Sequence, residues 1–118
     1  MITCEIDIKF PSFNEYINEC KRNKYAGNVT KKIYEESIGW YLHKLPDYER
    51  PIKIHFTWVE GKGSRRDPDN ICYAKKFILD TMVRMGKITD DNSKYIKGFT
   101  DSFETGEETK VIMEIEEL

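Results

Sequence analysis

From its second residue the chain alternates: Ile2, Cys4, Ile6, Ile8 and Phe10 fall on one side of an extended backbone, and Glu5, Asp7 and Lys9 on the other. Successive side chains of a strand point to opposite faces, so this pattern predicts a strand buried on one face only. Such a strand needs a second layer to cover its apolar side. The same period returns at Ile52, Ile54, Phe56 and Trp58.

Between these strands Ile33, Tyr34, Ser37, Ile38, Tyr41, Leu42 and Leu45 recur at helical spacing, and Pro46-Asp47 marks the stop. A second helix is expected from about Asn70 to Met85, with Ile71, Ala74, Ile78, Met82 and Met85 as its buried stripe and Gly86 ending it. Residues 94–100 and 109–116 read as two strands joined by a turn at Glu104-Thr105-Gly106-Glu107. The order β-α-β-α-β-β predicts an α/β domain (α+β-like) of two layers, two main helices on a mixed sheet. Pro11 closes the first strand. SFNEYINECKRNKYAGN, which follows, holds no sustained period, so an irregular arm is expected there, with at most a helical turn.

A chain of 118 residues suits one domain, 1–118, and 39% apolar against 34% charged residues suits a packed globule. No apolar run approaches the roughly 18 to 20 residues of a membrane helix, and the N-terminus lacks a signal peptide's layout, so no membrane contact and a cytoplasmic location are expected. Cys4, Cys20 and Cys72 show no CxxC spacing, which argues against a disulfide framework or a zinc site; all three are expected to be buried or half-buried. Most of Tyr25, Trp40, Tyr41, Trp58, Tyr73 and Phe99 are expected in a core or interface. The net charge of −2 conceals an uneven distribution: −3 over residues 1–20, +7 over 21–87 and −6 over 88–118. A basic middle suits a phosphate-binding surface, and equally a set of lysines and arginines that only solvate helices and loops.

The densest opposed charge lies in SRRDPDN, Ser64 to Asn70. In an extended segment Asp67 and Asp69 point to the same side, two hard oxygen ligands next to one another. Pro68 biases Asp67 away from helix geometry. Asp69, or Asn70, also suits the N-cap of the following helix. Capping accounts neither for Asp67 nor for Asp90-Asp91 beyond that helix. A helix of about 16 residues rises roughly 24 Å, so Asp91 rejoins Asp67 and Asp69 only if the chain returns along it. ITDDN reads equally as a polar turn. Lys76 and Asp80 stand i, i+4, spaced for an exposed ion pair; periodicity leaves open whether Lys76 instead faces a phosphate.

RRDPDN, KKFILD and ITDDN, preceded by PSFNEYIN and the basic arm KRNKYAGN, resemble over nearly the whole chain the RusA family of Holliday-junction resolvases, crossover junction endodeoxyribonucleases commonly met in prophages. The resemblance implies a Mg²⁺-dependent endonuclease, with Mn²⁺ as a further cation, that resolves four-way DNA junctions in recombination and repair. It assigns the metal to Asp67, Asp69 and Asp91 and the functional lysine to Lys76. The interval before the lysine is longer here than in the family's founding member, so Lys75 stays an alternative to Lys76, as Asp90 does to Asp91. Arg65 and Arg66 are then expected to steer or clamp phosphates, and Lys21, Arg22, Lys24, Lys62 and Lys75 to follow the backbone of branched DNA. Two symmetric cuts imply a two-fold homodimer, and no organic cofactor is expected. A non-catalytic DNA-structure-binding protein, and a nuclease for flaps or forks, are the alternatives.

Overall fold

The computed structural model describes residues 1–64 and 66–118; Arg65, an expected phosphate contact, lies outside the described residues. The alternating stretches become β1 (Ile2–Ile6) and β2 (Ile52–Gly61). Between them run α1 (Phe13–Arg22) and α2 (Ala26–Leu42), and after β2 come α3 (Pro68–Cys72), α4 (Lys75–Arg84), β3 (Ile96–Gly106) and β4 (Lys110–Glu117). With α1–α2 and α3–α4 each counted as one helical layer segment, the order is the expected β-α-β-α-β-β.

The sheet runs β1-β4-β2-β3, with β3 parallel to β2 and the other pairs antiparallel. The last two strands are therefore connected but not paired, because β2 lies between them. The α3–α4 crossover returns the chain as β3, parallel to β2 at one edge of the sheet, and β4 inserts on the other side of β2, between it and β1. Pairing with β2 extends β3 to Gly106, through most of the expected turn.

One sheet face carries Cys4, Ile6, Ile52, Ile54, Phe56, Trp58, Val111, Met113 and Ile115, all buried. Ile38 and Leu42 of α2, with Phe77, Ile78 and Met82 of α4, close the core over it. Burying each such large side chain contributes about 1.5 to 3 kcal/mol of transfer free energy.

The helical layer departs from expectation in four places. The arm contains a true helix: the Ser12 hydroxyl accepts from Glu15 N at 3.1 Å and the Glu15 carboxylate accepts from Ser12 N at 3.2 Å, a complete capping box. The α1–α2 link is equally local, with Asn23 Oδ1 accepting from Tyr25 N and Ala26 N, each at 2.9 Å. A β-carbon on Gly27 would collide with Cys20 Sγ, so glycine permits the close approach of α1 and α2 there. Cys20 itself is exposed, against expectation, while Cys4 is buried and Cys72 half-buried. The expected second helix breaks at Tyr73-Ala74, where bonds tighten to i→i−3, including Ala74 N to Ile71 O and Lys76 N to Tyr73 O. Ile33, expected in the core stripe of α2, is 56% exposed because the helix turns its Ile38–Leu42 side to the sheet. Among the described residues no helix is long and apolar enough to cross a membrane.

Candidate functional site

The DPDN segment leaves β2 through a turn in which Gly63 adopts φ +88°, a conformation open to glycine. Glu60 lies just before it, nearly buried. Glu60 Oε1 accepts from Arg66 Nε at 2.8 Å and Nη2 at 2.5 Å, while Arg66 Nη1 donates to the Phe10 carbonyl at 2.5 Å. The Arg66 side chain is only 15% exposed. It faces inward as a clasp between β2 and the β1–α1 link, which is how the structure places this expected phosphate contact.

Helix α3 has five residues, too few to persist alone. Its far end is held by Tyr73, whose hydroxyl donates to the Pro11 carbonyl and whose ring stacks on Tyr16 and meets Phe13 and Phe77 edge-on. Burial pushes the Tyr73 phenol far above its usual range. Residues 10–16 therefore grip the segment just before its aspartates and again just after α3.

Within this grip Asp67 occupies the N-cap position with extended backbone (φ −69°, ψ 149°), Pro68 starts the helix, and Asp69 lies in its first turn. The Asp67 side chain makes no cap hydrogen bond. Asp69, read from sequence as a possible cap, stands two positions further in. Both residues are exposed.

The adjacent lysines separate. Lys75 Nζ donates to Asp101 Oδ2 at 2.5 Å and lies 4.4 Å from the Phe99 ring centroid; Trp58 Nε1 donates to Asp101 Oδ1 at 2.8 Å. Lys76 instead places Nζ 3.0 Å from Asp80 Oδ1 and 3.5 Å from Asp91 Oδ2, with its side chain 63% exposed. The hydrogen bond to Asp80 raises Lys76 above the usual lysine range, and the Asp91 charge acts in the same direction. At Asp80 burial favours the neutral acid, but hydrogen bonds from Lys31, at 2.6 Å, and Lys76 outweigh it and hold the carboxyl below its ordinary value.

Asp91 thus lies within reach of the Lys76 ammonium, which also meets Asp80. After Gly86 the chain folds back, with Lys87 N donating to Met82 O at 2.8 Å and Ile88 entering the core. Asp90 Oδ1 accepts from Asp91 N at 2.8 Å and Oδ2 from Asn92 Nδ2 at 3.3 Å, so Asp90 shapes the turn while Asp91 faces Lys76. The fold-back brings Asp91 to Lys76, and no contact joins it to Asp67 or Asp69 among the described residues.

Among the described residues, no three His, Cys, Asp or Glu side chains gather closely enough to hold a metal ion. Asp67, Asp69 and Asp91 carry the hard carboxylate oxygens that Mg²⁺ prefers, but the described residues do not bring the three into one group. Sequence reading missed Asp101. Its carboxylate, with that of Asp69, adds to the burial that raises the Cys72 thiol, which puts both acids in the same electrostatic neighbourhood. The available signal was an aspartate at period two between Phe99 and Phe103, on the face of β3 that pairs with Phe56 and Trp58.

The other expected DNA contacts are dispersed. Lys62 pairs with Glu107 at 2.8 Å and Arg22 with Glu19 at 3.0 Å, while Lys24 covers the Tyr25 ring at 5.0 Å. Lys21 and Arg22 occupy the last turn of α1, the end opposite the Phe13 and Tyr16 contacts. The chain matches no protein-family model and no curated protein. A functional reading therefore rests on the residues themselves.

Proposed function

We propose that the chain is a RusA-type, Mg²⁺-dependent endonuclease that cuts branched DNA, four-way junctions above all, as a homodimer. The observation that supports this reading is that Asp67 and Asp69 stand exposed on a clasped helix start while the chain folds back to set Asp91 3.5 Å from the Lys76 ammonium.

Asp67 and Asp69, with Asp91, would hold the ion, whose chemistry there is to neutralise charge on the scissile phosphate and to activate water. Mn²⁺ satisfies the same oxygen donors. Lys76, kept protonated by Asp80, offers its ammonium to phosphate oxygens and to charge developing at the cut. Lys75 and Arg66 act as positioning residues, the first through Asp101 and the second through Glu60. Lys21, Arg22, Lys24, Lys62 and Arg65 supply charge that follows the duplex backbone, so binding weakens steeply with salt.

A second reading, a DNA-structure-binding protein without catalysis, takes the aspartates as turn and helix-start residues, as Asp90 is in its own turn. Cleavage of a synthetic four-way junction beside linear duplex, in Mg²⁺ and in EDTA, separates the two. Paired, metal-dependent nicks that vanish in Asp69→Asn while junction binding persists are expected. A wild-type protein that binds the junction and never cuts it with any divalent cation leaves the second reading.

A further inference from the structure

Helix α2 carries two apolar faces. Ile38 and Leu42 are fully buried against the sheet, with Tyr34 and Tyr41 packed beside them. On the other side Val29 is 55% exposed, Ile33 56% and Trp40 79%. At helical pitch, Val29, Ile33, Glu36 and Trp40 fall in an arc about 60° wide, diametrically opposite the Ile38–Leu42 direction. Tyr25, just before the helix and 62% exposed, extends the stripe. Single exposed apolar side chains are ordinary; a continuous stripe of large ones ending in an open tryptophan marks a docking surface.

The charges bordering the stripe indicate what docks there. Lys32 and Glu36 stand i, i+4 yet form no ion pair with each other, lysine first being the weaker order, and among the described residues neither forms a salt bridge elsewhere. If a second α2 lies antiparallel on the first with Val29 opposite Trp40, then Ile33 falls opposite Glu36, and Lys32 of each copy reaches Glu36 of the other. The two-fold axis makes that ion pair twice. A parallel arrangement sets like charges together. A phosphate backbone or an anionic lipid surface would meet Glu36 in the middle of the stripe.

We propose that the outward face of α2 is the homodimer interface, packed antiparallel against the same face of a second copy around an axis near Ile33 and Glu36. This rests on the dimer in the reading above, names its surface, and requires nothing of the aspartates. Sedimentation of the full chain at micromolar concentration tests it. The two-chain mass is expected for wild type and for Asp69→Asn, and the one-chain mass for Trp40→Glu, with circular dichroism unchanged because the residue is exposed. Lys32→Glu and Glu36→Lys are each expected to weaken the dimer about tenfold, and the double exchange to restore it. A one-chain wild type, or a dimer indifferent to Trp40→Glu, overturns the proposal, and a double exchange that fails to restore assembly overturns the antiparallel register. Loss of cleavage in Asp69→Asn with the two-chain mass retained bears on the site alone.

Discussion

Lys75 and Lys76 are neighbours in sequence, but one helical step of about 100° sends the first toward Asp101 and the aromatic rings and the second toward Asp80 and Asp91. Their substitutions should therefore fail differently. Lys75→Met keeps the contact with Phe99 but leaves a partly buried Asp101 oxygen without its donor, and is expected to cost about 1 to 3 kcal/mol of stability. Lys76→Met loses only an exposed pair, worth about 0.3 to 0.5 kcal/mol, yet should lower junction cleavage about 100-fold or more. Urea midpoints and single-turnover rates for both variants decide the matter; the reverse pattern would make Lys75 the functional lysine. The aspartates divide in the same way, Asp90 into its own turn and Asp91 toward Lys76.

Among the elements, α1 matters most to the site, because its first turn holds Tyr73 and so the end of α3. Ser12→Ala removes one half of the capping box and is expected to cost about 1 kcal/mol. The loss should spread: amide exchange in residues 68–72 is expected to accelerate along with that of α1. Acceleration confined to α1 would show that the grip on α3 is independent of the cap. The cap signature, Ser12 with Glu15 three residues on, is plain in the sequence. Phe13, Tyr16, Ile17 and Cys20 do fall at i, i+3, i+4, i+7, but the stripe spans only two turns among polar residues and none of it is fully buried, so the helix was missed. The break between α3 and α4 left no signal, since Ile71, Ala74 and Ile78 keep helical spacing across it.

At the scale of the whole molecule, stability should hold a plateau between acid and alkaline limits. Hydrogen bonds from the Ser12 backbone and hydroxyl lower Glu15, and Lys31 and Lys76 together lower Asp80 in spite of its burial. A carboxyl lowered in the folded state stabilises it above the unfolded value, 4.5 for Glu15 and 3.8 for Asp80, and that contribution is lost as pH falls through the folded values. Burial raises the Cys4 thiol and the Tyr48 and Tyr73 phenols. Their contribution is whole below the ordinary values of 9.0 and 10.0 and is lost as pH climbs through the alkaline range. Urea midpoints measured from acid to alkaline pH should fall at both ends, and a midpoint that rises on acidification would contradict these ion pairs.

Sequence alone determined which face of β1 and β2 is buried, that α2 and a DPDN-headed helix exist, and that carboxylates flank that helix. These are consequences of side-chain direction along a local backbone, which repeats at two residues in strands and at 3.6 in helices. Tertiary structure alone decided that β3 pairs parallel to β2 and not with β4, that Arg66 turns inward to Glu60, that Ile33 faces outward, and that Asp91 returns to Lys76. Each of those depends on a partner distant in the chain, and periodicity contains no information about which distant residue arrives.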